Sequence, residues 1–414
     1  MFRCVTELKG LIIDVDSFDG IPIENWKRFY DNFKCVFITS KESTVSELEQ
    51  FYNKNVVMLF KKYERLLAPN IKTHVQALEL LDCETTEVAY VSKNSKFINN
   101  ALEFMSGTIW VTDEILSYEE ASSSADLICK DVDSLFELLS NNIKGFLGEV
   151  VLYPTRDNTG LILPVEFYVD GDPFLLVMIG RYFGSNHYMY RIHPYSRAIL
   201  LNKKKGRAYG IFNEIFLNLY KSAFEVISVK HVIDAICSVP VRPGKENRYE
   251  TIVDRLAEIY DLINLTSHFV CKMDYPEQKA SSQIEREENV KGVFELTEDV
   301  SGKNVVIIDD IITTGSTMRE CVRTLKRQGA LDVIIIALGI NQFRGNYWTS
   351  DLDEVKCPSC GSEMTLLANS NTKEFFFSCE NSSCNRTLNY KDGRSILQRL
   401  VNRKRMIDDN DDSI

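Results

Sequence analysis

The chain has 414 residues, 44% of them hydrophobic and 26% charged, and a formal net charge of −11 at pH 7. That length exceeds one hydrophobic core and implies two or three domains of a soluble globular protein. The acidic balance argues against nonspecific binding of nucleic acid or membrane by the whole chain, and no apolar run reaches the length of a membrane span.

The N-terminus, MFRCVTELKG, has no signal-peptide pattern. Apolar stretches at 11–16, 35–39, 56–60, 87–92 and 108–112 predict strands, separated by helix-like stretches such as 72–82 and 95–105. Their alternation implies a parallel sheet with helices on its faces over residues 1–125. The polar run SYEEASSSADLICKD closes this unit, and its serines are the linker candidate. A second unit, 140–345, has aromatic-rich strands around 161–169 and 174–191, a helix near 209–226, and a sheet from about 232 to 340. A cysteine-rich module at 353–392 follows, and then a charged tail, 400–414, expected to be disordered. The fold class is α/β: two Rossmann-like parallel-sheet domains and a small C-terminal zinc ribbon.

In the first unit, LIIDVDS puts Asp14 and Asp16 at the exit of a buried strand. CVFITS ends the next strand with Thr39 and Ser40, and Lys72 starts a helix. The order and spacing resemble the haloacid dehalogenase (HAD) superfamily of phosphatases. The resemblance implies Asp14 as nucleophile, Asp16 as general acid/base, Thr39 as a phosphate hydroxyl and Lys72 as the neutralising cation. The fourth motif departs from the family. Where the family carries an acidic GDxxxD, this chain has Ser92-Lys93-Asn94-Ser95-Lys96-Phe97. Without those acids Mg²⁺ loses its holders, so the economical reading is a retained fold with lost or weakened hydrolysis; an active phosphatase is the alternative.

In the second unit, VVIIDDIITTGST (305–317) reads as a strand ending in Asp309 and Asp310, a tight loop, and the start of a helix. The first turn of such a helix offers unpaired N–H groups, Gly315 allows close backbone approach, and the hydroxyls of Thr313, Thr314, Ser316 and Thr317 add donors for a phosphate. The two carboxylates suit the vicinal hydroxyls of a ribose, directly or through Mg²⁺. The segment resembles the phosphoribosyl diphosphate (PRPP) signature of type I phosphoribosyltransferases, which implies Asp309 and Asp310 on the ribose and residues 313–317 around the 5-phosphate. Upstream, the turn after Val239-Pro240-Val241 is where the resemblance puts the diphosphate, with Arg242 and Lys245 as candidate cations; a solvated loop is the alternative. Gln278, Arg286, Asn289 and Phe294 fall at the spacing of the mobile segment of ComF-type transferases, implying a lid over PRPP; the plainer alternative is a charged helix leading into a strand. The RGFNQ-like run of that branch is replaced here by Lys245-Glu246-Asn247-Arg248-Tyr249. His193 and His231 read as packed residues.

Cys357-Pro-Ser-Cys360 and Cys379-Glu-Asn-Ser-Ser-Cys384 have the spacing of two zinc knuckles, and four thiolates leave no open position, so the Zn²⁺ is structural. The other cysteines are scattered, which fits a reducing cytoplasm rather than a disulfide framework. The module resembles the C-terminal zinc ribbons of type IA topoisomerases, which implies single-stranded DNA as a partner through Phe375, Phe376, Phe377 and Arg386; the alternative is that these aromatics fill the ribbon's own core.

Together these readings give a cytoplasmic PRPP-dependent phosphoribosyltransferase. It uses Mg²⁺, transfers ribose 5-phosphate to an unidentified small-molecule acceptor with release of diphosphate, and carries a HAD-like domain in the same chain, with coupled phosphatase activity as the alternative to a silent scaffold. Folds of this family often dimerise, so the resemblance allows a homodimer, while the sequence itself leaves the oligomeric state open. The rival reading is a catalytically silent PRPP- or nucleotide-sensing protein whose ribbon contacts nucleic acid.

Overall fold

The computed structural model describes residues 7–52, 55–58, 68–141, 145–152, 159–185, 187–203, 209–274, 283–342 and 355–411. Short runs of β-branched and aromatic residues, buried on both faces, build the first sheet. Its strands are β1 (Gly10–Asp14), β2 (Lys34–Thr39), β3 (Val56–Met58), β4 (Val88–Ser92) and β5 (Gly107–Val111). A sixth strand, β7 (Leu127–Cys129), follows β6 (Leu116–Ser117), which belongs elsewhere. The order is β3-β2-β1-β4-β5-β7 and every pairing is parallel. The winding reverses at β1 and β4, the switch point where open α/β sheets hold ligands beyond their carboxyl ends. Asp14 stands there. Helices α1 (Ile71–Leu81) and α2 (Ser95–Ala101) flank β4 in sequence, each capped by an asparagine, Asn70 and Asn94.

The second sheet runs β11-β10-β14-β15-β9-β8-β6. It is parallel except for the hairpin of β8 (Leu163–Val169) and β9 (Asp172–Tyr182). The parallel strands are β10 (Ala235–Ser238), β11 (Ile263–Asn264), β14 (Asn304–Ile312) and β15 (Asp332–Asn341). Strand period 2 sorts the core: Cys237, Val305 and Ile307 face one layer, and Ile236, Val306 and Ile308 the other. The second layer is closed by α3 (Pro194–Lys203) and α4 (Asn213–Ser228). On the opposite side, α5 (Gln283–Val290) leads into β13 (Phe294–Leu296), which pairs antiparallel with β12 (Phe269–Cys271).

The serine run expected to be a linker is buried instead. Ser122 and Ser124 are 2% and 0% exposed, and their segment lies between two sheets. Just before it, β6 pairs with β8 of the second sheet through Leu116 and Ser117; just after it, β7 returns to the first. Two of the polar groups that suggested a solvated linker bond internally: the Ser122 hydroxyl donates to the Tyr118 carbonyl and the Ser124 N–H to Gln342 Oε1. A buried ionic cluster completes the junction. Arg181 of β9 forks onto Glu149 through Nε and Nη2, both at 2.8 Å, and reaches Asp126 Oδ1 at 2.7 Å. Asp126 Oδ2 in turn accepts from the backbone and hydroxyl of Thr108 on β5.

The C-terminal strands β16 (Met364–Ala368), β17 (Phe375–Cys379) and β18 (Thr387–Asn389) form an antiparallel sheet. It packs with Phe183, Met189 and Ile192 of the second unit and with Leu397 and Val401 of a terminal helix. That helix, Tyr390–Asp411, runs into the charged tail as far as residue 411. Its buried first half supplies a nucleus, and propagation from a formed turn is far easier than nucleation. No helix among the described residues is long and apolar enough to cross a membrane.

Candidate functional site

Strand β14 carries Asp309 and Asp310 to the carboxyl end of the second sheet, between β10 and β15. Asp310 is 3% exposed. Burial alone would raise its pKa, but two cations converge on one oxygen and outweigh that: Lys203 Nζ lies 2.7 Å from Oδ2, and Arg248 Nη2 donates to the same atom. Asp309 is held above the usual carboxylate range by burial and by the charge of Asp310. Its Oδ1 accepts from the Asp310 N–H at 2.8 Å, and its carbonyl accepts from the Tyr220 hydroxyl at 2.8 Å.

Three residues, 313–315, separate the end of β14 from α6 (Ser316–Arg327). Gly315 caps it at φ 79°, and a Cβ there would fall 2.9 Å from the Phe167 ring. No side chain caps this helix end, so the first-turn N–H groups face outward with the positive end of the dipole. Thr313 is exposed, Thr314 and Thr317 are half-buried, and the Thr314 and Ser316 hydroxyls lie 3.1 Å apart. The loop is braced from behind. Arg319 Nη1 donates to the Thr314 carbonyl at 2.8 Å, and the Tyr118 hydroxyl donates to the Thr313 carbonyl. Tyr118 belongs to the segment joining the two sheets.

On the other side of the aspartates lies a cleft of about 410 Å³. Lys203, Arg242, Lys245, Arg248 and Asp309 are among its walls. The two cations expected here, Arg242 and Lys245, share this cleft. Lys203 and Arg248 escaped the sequence reading. Arg248 lies in the loop that was searched, but Lys203 comes from a separate helix and nothing in its local pattern points to Asp310. Of the expected lid, Gln278 lies outside the described residues, as does the side chain of Arg286, whose backbone is helical in α5. Phe294 is 3% exposed in the core, and Asn289 is half-buried near the end of α5.

In the first sheet, the Asp14 carboxyl is pushed up to about 6 by burial and, less, by Asp16, against a 2.6 Å hydrogen bond from the Ser92 hydroxyl. Asp16 sits below its ordinary value: burial opposes this, but bonds from Ser40 and Thr39 prevail. Thr39 is fully buried and donates to Asp16 Oδ1 at 2.6 Å. Lys72 is exposed at the start of α1, and no hydrogen bond or ion pair among the described residues joins it to Asp14. Phe97 is 5% exposed and packs edge-on against Tyr90, while the Lys93 ammonium lies 5.7 Å from the Phe18 ring. His193 is buried, with Nδ1 2.8 Å from the Ser196 hydroxyl.

The four sulfurs of Cys357, Cys360, Cys379 and Cys384 lie within 4.8 Å of one another. Tetrahedral Zn²⁺ with bonds of about 2.3 Å needs sulfurs a little under 4 Å apart, so the set fits the ion. Among the described residues it is the one cluster of three or more His, Cys, Asp or Glu able to hold a metal. Phe375 stacks on Phe212 of the second unit and Phe377 on Tyr390, so two of the three aromatics expected to meet bases are spent on packing. Phe376 is half-buried, and Arg386 is exposed.

Residues 263–354 match the model of the phosphoribosyl transferase domain family, so the chain contains a phosphoribosyl transferase domain. Over 35 residues it is 63% identical to a ribose-phosphate pyrophosphokinase of Methanosarcina acetivorans, which is 8% of this chain and 12% of that one. A 53-residue stretch is 43% identical to the DNA utilization protein YhgH of Escherichia coli K12, covering 13% and 23%. A longer match, 29% over 143 residues, is to the ribose-phosphate pyrophosphokinase of Wolinella succinogenes, covering 34% and 40%. The chain thus spans less than half the length of each of these curated relatives. An adenine phosphoribosyltransferase structure aligns with 31% of this chain and 80% of its own, at 18% identity and a TM-score of 0.22.

Proposed function

We propose that the second unit binds PRPP and transfers its ribose 5-phosphate to a small-molecule acceptor with loss of diphosphate. The observation that carries this is a single juxtaposition: an uncapped helix end at Gly315, two carboxylates on the strand leading to it, and a cation-walled cleft beyond them. A sugar phosphorylated at both ends matches that order. The helix end takes the 5-phosphate, the aspartates take the ribose hydroxyls, and the cleft takes the diphosphate. Asp309 and Asp310 with substrate oxygens form a fitting hard-oxygen set for Mg²⁺, which when bound would screen the leaving diphosphate. The relatives matched over partial stretches are named as pyrophosphokinases and as a DNA utilization protein, so the acceptor is left unnamed.

Calorimetric titration of PRPP with Mg²⁺ into the wild type and into Asp309→Asn/Asp310→Asn tests the reading. Saturable binding lost in the double variant is the expected result, followed by diphosphate release that depends on one acceptor. Binding that never yields diphosphate with any acceptor would favour the sensor. Equal heats in both proteins would end the donor-site assignment.

For the first unit, a HAD-like scaffold with weakened hydrolysis is the reading best supported. Ser92 occupies the approach to Asp14, and the Phe97 position, where the family holds an acid, is part of the core. Phosphate release from a generic aryl phosphate should be at background and unchanged by Asp14→Asn. Release that the substitution abolishes would instead establish an active phosphatase.

A further inference from the structure

Lys203 has a position that packing alone does not explain. It ends α3, and its ammonium reaches Asp310 Oδ2, an oxygen that already receives Arg248. Two cations on one carboxylate leave a surplus positive charge, and the geometry directs it. The Asp310 side chain is 4% exposed, whereas those of Lys203 and Arg248 are 28% and 33% exposed and line the cleft. The Asp310 carboxylate thus lies behind the two cations, and the cations are walls of the cleft. Arg242 and Lys245 stand on the same walls. Four cations, Lys203, Arg242, Lys245 and Arg248, face two acids, Asp309 and Glu246, across the cleft, a balance that suits an anionic ligand.

The backbone that carries this lysine is held in place. Helix α3 is buried over most of its length, and from its middle Arg197 Nε donates to the Leu366 carbonyl of the ribbon at 2.9 Å. A flexible lysine at the end of a fixed helix can swing its ammonium without moving the backbone.

We infer that Lys203 is a ligand of the diphosphate group, exchanging Asp310 for the diphosphate when the donor binds and so freeing Asp310 for a ribose hydroxyl. This rests on the donor reading above and adds to it a residue and a change of partner. In the free protein, Lys203 and Arg248 keep a buried carboxylate paired. In the complex, the anion takes over their charge.

Calorimetry with three ligands, Mg²⁺–PRPP, Mg²⁺–diphosphate and ribose 5-phosphate, decides the matter. In Lys203→Ala and the longer Lys203→Gln, affinity for PRPP and diphosphate should fall about tenfold or more, as for loss of one charge-assisted bond. Ribose 5-phosphate, which lacks the diphosphate, should bind within about twofold of wild type on this assignment. Lys203→Arg should recover part of the loss. An equal loss for ribose 5-phosphate would mean that Lys203 acts only by arranging Asp310, and unchanged PRPP binding would mean that it does not meet the donor; either overturns the inference. If the wild type binds none of the three, the donor reading itself fails, an outcome distinct from a Lys203 effect.

Discussion

At the scale of single residues, burial and a neighbouring charge set two carboxylates, Asp14 and Asp309, apart from the rest. Asp14 has a pKa of about 6 in the folded chain, against 3.8 for an ordinary aspartate. A carboxyl raised on folding makes the folded state the tighter proton binder. The stability this brings is therefore present below about pH 4 and is lost as pH rises through about 6. At pH 7.5 the ionised, desolvated carboxylate costs up to about 3 kcal/mol. Asp14→Asn keeps the acceptor for Ser92 and removes the charge, so its urea midpoint should exceed that of wild type at pH 7.5. The gain should shrink as pH falls through 6 and vanish near 4. A lower midpoint at pH 7.5 would contradict the desolvated setting. Gly315 supplies a second prediction. With φ at 79° and Phe167 in the way, Gly315→Ala strains the loop and displaces the phosphate anchor, and titration should show PRPP binding at least tenfold weaker. Gly315, Asp309 and Asp310 were legible in the sequence because loop and carboxylates are adjacent in it. Lys203 was not, because ion pairs between distant segments leave no local pattern.

At the scale of elements, the ribbon is tied to the transferase unit rather than hung from it. Arg197 donates to Leu366, Phe212 stacks on Phe375, and Arg191 pairs with Glu363. A metal held by the four cysteines would supply the folding energy of so small a module, so its removal should be felt beyond it. A zinc-selective chelator should lower the melting temperature of the chain by several degrees, about 1–2 kcal/mol for a protein of this size, and weaken PRPP binding by loosening α3. An unchanged melting curve with zinc demonstrably lost would sever ribbon from unit. Gly393 offers a metal-independent check: a Cβ there would lie 2.1 Å from the buried Phe377 ring, and Gly393→Ala should cost about 1–3 kcal/mol by thermal unfolding. The knuckle spacing made this module readable from the sequence. Its docking was not, since an aromatic strand reads the same whether its rings meet bases or Phe212.

At the scale of the molecule, Arg181 links the two sheets through Asp126 and Glu149, all buried. Breaking a buried ion pair from one side strands the partner charges and costs about 3–5 kcal/mol. Arg181→Met should therefore lower the urea midpoint sharply. It should also split a single transition into two, one for each sheet, as followed by Trp fluorescence and backbone dichroism. A single transition, merely shifted, would mean that the cluster stabilises the chain without coupling its halves. The strand–helix alternation of both units was apparent from their apolar runs. Their entanglement was hidden by serines whose polarity suggests solvent and whose hydrogen bonds are internal.

The two residues of β6 carry a consequence for how such a protein can be taken apart or assembled. They cover the outer edge of β8, an antiparallel strand whose N–H and C=O groups would otherwise be bare. A piece of the chain cut at residue 140 would contain the whole PRPP motif and still lack this cover and Tyr118, leaving a sticky strand and an unbraced loop. Gene fusion usually joins finished parts. In this molecule one part finishes the other, so neither could be lost or exchanged without repairing the cut edge.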